Sequence, residues 1–166
     1  FELCAGDPFL LRPGLEHPRW KVVRATCAVL ARMRSPDSFK LFEPLLKHSS
    51  HLIRTTAVRS VAKSGSSRRG VILGEMLQDS EGSVRVATIE AFASIEPSQA
   101  VERLVTMLQD VSFGDRDRQE QQVLYRVLAQ FGGPEVIAAL ASQVGSDSPP
   151  WFRRTSSVPA VLQPRL

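Results

Sequence analysis

The feature that most narrows the folds open to this chain is a recurrence at a step of 31 residues. Displaced by that step, Val22, Ile53 and Val84 coincide, as do Cys27, Val58 and Ile89, then Leu30, Val61 and Phe92. Ala31, Ala62 and Ala93 are identical. The other half of the step behaves alike: Phe42, Leu73 and Leu104; Leu45, Met76 and Met107; Leu46, Leu77 and Leu108. No charged residue enters any of these triplets. A fixed period of this length marks an array of stacked units.

Each unit carries two helical patterns. The first is an apolar trio at i, i+3 and i+4, as in Phe42, Leu45 and Leu46, which lines one face of an amphipathic helix. The second, as in Val84, Ile89 and Phe92, has Ala87 and Ala91 between its larger residues, so neighbouring helices can approach closely. A two-helix unit of this size cannot bury its apolar face alone. Copies must stack, each touching its neighbours.

The stretch Asp79…Val84–Arg85–x–Ala87–x–x–x–Ala91–Phe92, after Leu73…Met76–Leu77–Gln78, resembles the HEAT repeat, and its short unit is similar to the HEAT-like repeats of the phycobilisome lyase type. The resemblance covers roughly residues 7 to 144. It implies an all-α, right-handed superhelix of the HEAT/armadillo kind, with about four two-helix repeats whose second helices line the concave surface. The Asp of the family pattern is present at Asp79 and Asp110 but is His17 and His48 in the equivalent places. The Arg is present at Arg54 and Arg85 and replaced by Val23. The Asp–Arg ladder that the resemblance implies is therefore expected to fail at the amino-terminal end.

Along the chain, units are expected at roughly 5–33, 36–64, 67–95 and 98–144, the last with a final half repeat. Leu10, Leu11 and Leu15 belong to a worn first helix interrupted by Pro13 and Gly14. Pro18 opens a helix to Met33, and helices follow at roughly 37–47, 50–63, 68–78, 81–94 and up to about 109. Phe92 maps to Leu128, so five residues are inserted near 112–118. The charged run Asp115–Arg116–Asp117–Arg118 reads as a solvated extension or a contact element. The next helix presents Val123, Leu124, Val127, Leu128 and Phe131 on one face. Gly132–Gly133–Pro134 then turns into a last helix bearing Ile137, Leu140, Ala141 and Val144. From 145 to 166 the period stops in a Pro/Ser-rich tail. The tail reads as a loose end or a cover for the last helix, with Trp151–Phe152–Arg153–Arg154 as a docking motif the alternative. The chain opens at Phe1 inside a repeat, which reads as a piece of a longer protein.

Charge is unevenly spread. Residues 1–70 hold 13 Lys/Arg against 5 Asp/Glu, whereas residues 71–150 hold 5 against 12. One end of the stack is basic and the other acidic, which bears on partners. With only two cysteines, Cys27 at a core position and Cys4 near the start, a disulfide scaffold is excluded and a cytoplasmic setting expected.

Given that the second helices line the inner surface, their residues outside the apolar set are the candidate site. Trp20, Arg24 and Arg32 share one face of the first; His51, Thr55, Arg59 and Lys63 share one face of the second; Glu90 holds the aligned place in the third. Stacking sets Arg24 beside Thr55 and Arg32 beside Lys63, a basic strip that turns neutral or acidic beyond. It reads as a groove for an acidic protein partner with Trp20 as anchor, or as an ordinary solvated face. Nucleic-acid binding through the basic half and a bilin lyase-like or chaperone-like role are the alternatives. His17, His48 and His51 lack the further ligands that zinc requires, and no metal or other cofactor is expected. No phosphate loop, catalytic Ser/His/Asp set or paired carboxylates are present, so no catalytic residue is assigned.

Overall fold

The computed structural model describes residues 7–145 except 34, 36, 65 and 96. Among them are nine α-helices and no strand: α1 (Arg12–Leu15), α2 (Trp20–Met33), α3 (Ser38–Leu46), α4 (His51–Lys63), α5 (Arg69–Met76), α6 (Gly82–Phe92), α7 (Pro97–Gln109), α8 (Arg118–Phe131) and α9 (Pro134–Gly145). Short 3-10 turns occupy Pro8–Leu11 and Val111–Asp115. The expectations on Cys4, on residues 1–6 and on the tail beyond 145 lie outside the described residues.

Every sizeable helix–helix interface joins α-helices one or two apart in the chain, and the tightest run α2 to α4, α4 to α6 and α6 to α8. The fold is thus an all-α solenoid of two layers, with even-numbered helices in one and odd-numbered helices in the other. The even layer packs closest because its seams are lined by small residues such as Ala57, Ala87 and Ala91, all buried. The even helices are the second helices of the units, the layer that the resemblance to the HEAT repeat implies as the inner surface.

The repeat triplets form the core. Cys27, Val58 and Ile89 are fully buried, as are Leu30, Val61 and Phe92, and Phe42, Leu73 and Leu104. Three triplets break rank. Met76 is only half-buried where Leu45 and Met107 are buried. Val22 is only half-buried where Ile53 and Val84 are buried, and the helix ahead of it, α1, has only four residues. Its brevity follows from Pro13, which has no amide hydrogen and is tolerated only in a first turn. Ala93 is exposed because α6 stops at Phe92, ahead of the expected end at 94. There the amides of Ala93 and Ser94 reach back three residues, to Glu90 and Ala91, in a tightened last turn.

At the far end, α8 buries Val123, Leu124, Val127 and Leu128 as the spacing predicts. Gly132 (φ 64°) and Gly133 (φ 92°) then take backbone conformations that favour glycine, and α9 starts at Pro134. Its buried residues are Val136 and Ala139, whereas Ile137 stands 65% exposed. Among the described residues, α7 and α8 are the helices that pack on this last helix. The account predicts that Phe92→Ala lowers unfolding free energy by about 3–5 kcal/mol, while Ile137→Ala changes it by no more than about 0.5 kcal/mol. Urea denaturation of both variants checks this.

Candidate partner-binding surface

The turn edge of the stack is pinned by arginines. Arg54, near the start of α4, donates two hydrogen bonds of 2.8 Å to the Asp79 carboxylate in the next unit. Its remaining nitrogen donates to the carbonyls of His48 and Ser49 at 2.9 and 3.0 Å. Arg85, one step on, donates to the carbonyls of Asp79 and Ser80 in the same way. Its carboxylate partner is Glu120, at 2.8 and 2.6 Å, and not the Asp110 that the period points to. The five-residue insertion explains the exchange. Asp110 instead accepts the Ser112 amide and caps the 3-10 turn. Glu120, entirely buried, is held from a second side by Arg116 at 2.8 Å.

The insertion is consequently a folded strut. Phe113 is buried and meets Tyr125 edge to face with centroids 6.1 Å apart. The amide nitrogen of Gln121 donates to the carbonyls of Gly114 and Arg116, both at 2.9 Å.

Positions 17, 48, 79 and 110 share one local role although two are histidine and two aspartate. Each accepts the amide hydrogen of the residue two places on, through Nδ1 of His17 (3.0 Å) and His48 (2.9 Å) and through Oδ1 of Asp79 and Asp110 (2.9 Å). What the histidines lack is the charge to hold an arginine. Val23, where that arginine belongs, is fully buried instead. Among the described residues no ion pair joins the first two units, as the departures from the family pattern predict.

On the inner surface, Arg24 and Arg32 of α2 and Arg59 and Lys63 of α4 line one hollow of about 530 Å³. Its floor includes Ala28, Ala31 and Ser60. The expected pairing of Arg32 with Lys63 is thus met in space, but Arg24 shares the hollow with Thr56 and not Thr55. The Thr55 hydroxyl is enclosed and finds no hydrogen-bond partner among the described residues. His51 is exposed at the start of α4, outside the hollow. Trp20 is half-buried against the core with the Arg24 guanidinium 5.1 Å from its ring centre, so it orders that arginine. Glu90 lies between Arg59 (3.8 Å) and Arg126 of α8 (3.3 Å). Beyond the second unit, where the surface is expected to turn neutral or acidic, Glu90 is paired with Arg126. Thr56, Ser60 and Arg126 were not anticipated from the sequence.

Among the described residues no three His, Cys, Asp or Glu side chains come together as a metal site. No helix among them is long and apolar enough to cross a membrane. Cys27 is a free, buried thiol, and burial outweighs its hydrogen bond with Ser60 to push its pKa up to about 11.

Comparison with known families matches the one described as HEAT repeats at residues 10–83 and again at 71–157. No curated protein matches. Among solved structures, a crystal structure of an engineered protein is similar over 84% of this chain and 69% of its own, with 18% identity and a TM-score of 0.49.

The clamps make stability acid-sensitive. Burial disfavours the ionised Asp79, but the hydrogen bonds from Arg54, the Glu81 amide and the charges of Arg54 and Arg85 outweigh it, holding its pKa below the ordinary value. Glu120 is likewise lowered, burial being overcome by Arg85 and Arg116. A carboxyl whose pKa is depressed by folding contributes fully above its unfolded value, about 4, and loses that contribution as pH falls through the folded one. Unfolding free energy is accordingly expected to drop below about pH 4. Glu120→Gln is expected to cost about 1–3 kcal/mol at pH 7 and to flatten the acid limb. Urea midpoints between pH 2.5 and 7 measure both; an acid limb unchanged by the substitution contradicts the assignment.

Proposed function

Because the chain belongs to the HEAT-repeat family, whose stacks offer extended concave surfaces, we propose that it is a non-enzymatic protein-binding scaffold that takes an acidic segment of a partner on its inner surface. The observation that carries this reading is the hollow itself. Two helices aim Arg24, Arg32, Arg59 and Lys63 at one space, and the only carboxylate paired with any of them among the described residues is Glu90, 3.8 Å from Arg59. Four cations held in one concavity attract carboxylates and raise the rate of encounter. The ring of Trp20 reduces the freedom of Arg24 before any partner arrives.

Duplex nucleic acid fits less well. A phosphate backbone extending along the inner surface meets Glu90 and then the acidic half of the chain, with 12 Asp/Glu against 5 Lys/Arg over residues 71–150. The free thiol of Cys27 is in keeping with a reducing compartment such as the cytoplasm.

Fluorescence anisotropy with a labelled Glu-rich peptide of about ten residues tests the reading. Binding is expected at low salt, weakened roughly tenfold by the triple reversal R24E/R59E/K63E. Equal affinity for the reversed protein removes the hollow from the site. Tighter binding of duplex DNA, lost steeply with salt, replaces the reading with the nucleic-acid one.

A further inference from the structure

A second concavity lies on the turn edge of the first two units, away from the inner hollow. It is a trough of about 1100 Å³, bounded by the Pro8–Leu11 turn, α1, the start of α2, α3 and the start of α4. Buried Leu15, Leu41, Leu45 and Ile53 form its floor. Phe9 and Leu52 stand at its lip, each 43% exposed. The rim carries Arg12, Arg19, Lys21 and Lys40; Arg12 already holds Glu16 at 2.9 Å and Lys40 holds Asp37 at 2.9 Å. Arg19 and Lys21 have no ion-pair partner among the described residues.

This trough exists because of three substitutions in the repeat pattern. In the third unit Asp79 accepts the Glu81 amide just ahead of α6, and the Arg54 and Arg85 clamps close the edge. Here His17 and His48 accept the amides of Arg19 and Ser50 just ahead of α2 and α4 without negative charge, and Val23 is buried where the clamping arginine belongs. The two helix starts that open on the trough therefore retain their positive partial charge, and Phe9 and Leu52 are the apolar side chains left exposed beside it.

We propose that this trough is a docking site for an acidic amphipathic segment of a partner protein, its apolar side chains on the Leu15–Leu41–Leu45 floor and its carboxylates at Arg19 and Lys21. Charge complementarity selects that occupant: an uncharged apolar segment leaves the cations unanswered, and a polyphosphate leaves the apolar floor exposed. The site is independent of the inner hollow and stands or falls separately.

The test uses the full chain, isotopically labelled for NMR, and a peptide of about twelve residues with Leu and Phe on one helical face and Glu on the other. Its two controls replace Glu by Gln, or Leu and Phe by Ser. Saturable amide shifts are expected within 8–21 and 40–53 for the first peptide, with both controls at least roughly tenfold weaker. R19E/K21E, at exposed positions, is expected to weaken binding by a similar factor with its thermal midpoint kept, whereas R32E/K63E is expected to leave it in place. Shifts on the inner hollow instead, unchanged affinity in R19E/K21E, or preference for a single-stranded oligonucleotide overturns the proposal. So does a trough already filled in the free protein, either by residues 1–6, seen as nuclear Overhauser contacts, or by a second copy, seen as a dimer in sedimentation.

Discussion

The structure rests on the burial of each inner helix between its two neighbours. No helix pair here encloses a core of its own: Val58 and Val61 need α2 on one side and α6 on the other, and Ile89 and Phe92 need α4 and α8. The driving force is removal of apolar surface from water, and its geometry is set by small residues that let the inner helices close up. Everything functional follows from that asymmetry. Packing of α2 against α4 brings Arg24, Arg32, Arg59 and Lys63 together as the lining of one hollow.

Superimposed on this nonspecific attraction is a directional device at the turn edge. Each clamping arginine uses two nitrogens on a carboxylate of the following unit and one on carbonyls of its own turn. The planar guanidinium suits that double duty, and a lysine cannot reproduce it. Where the clamp is present the edge is closed and neutralised. Where it is absent, between the first two units, the edge is open, apolar and basic. The same three positions, 17, 23 and 48, thus set both a local loss of cohesion and a surface of distinct chemistry.

Much of this was legible in the sequence, for a physical reason: in a repeat, equivalent residues meet equivalent surroundings, so Cys27 could be placed in the core from Val58 and Ile89 alone. The gathering of cations between α2 and α4 was legible too, down to Arg32 beside Lys63. The period misled where the surroundings stopped being equivalent. Glu120 was missed as the partner of Arg85 because the insertion moves the turn away and lets a carboxylate from the helix start take the place of Asp110. Phe113 was hidden by the charges that follow it, although an aromatic residue in such a run needs somewhere to go. Thr55 and Thr56 differ by one residue, which on a helix is a rotation of about 100°, and periodicity does not fix a face that finely. The trough draws its lining from α1, α2, α3 and α4 together, a property of tertiary packing and not of pattern.

The central claim is that cohesion passes from unit to unit and is strongest where burial and clamp coincide. Native-state hydrogen exchange, read amide by amide, addresses it most directly. The slowest exchange is expected in α4, α6 and α8, with α2 opening at lower free energy because its unit is unclamped. Equal protection across all four inner helices, or the greatest protection in α2, would contradict it.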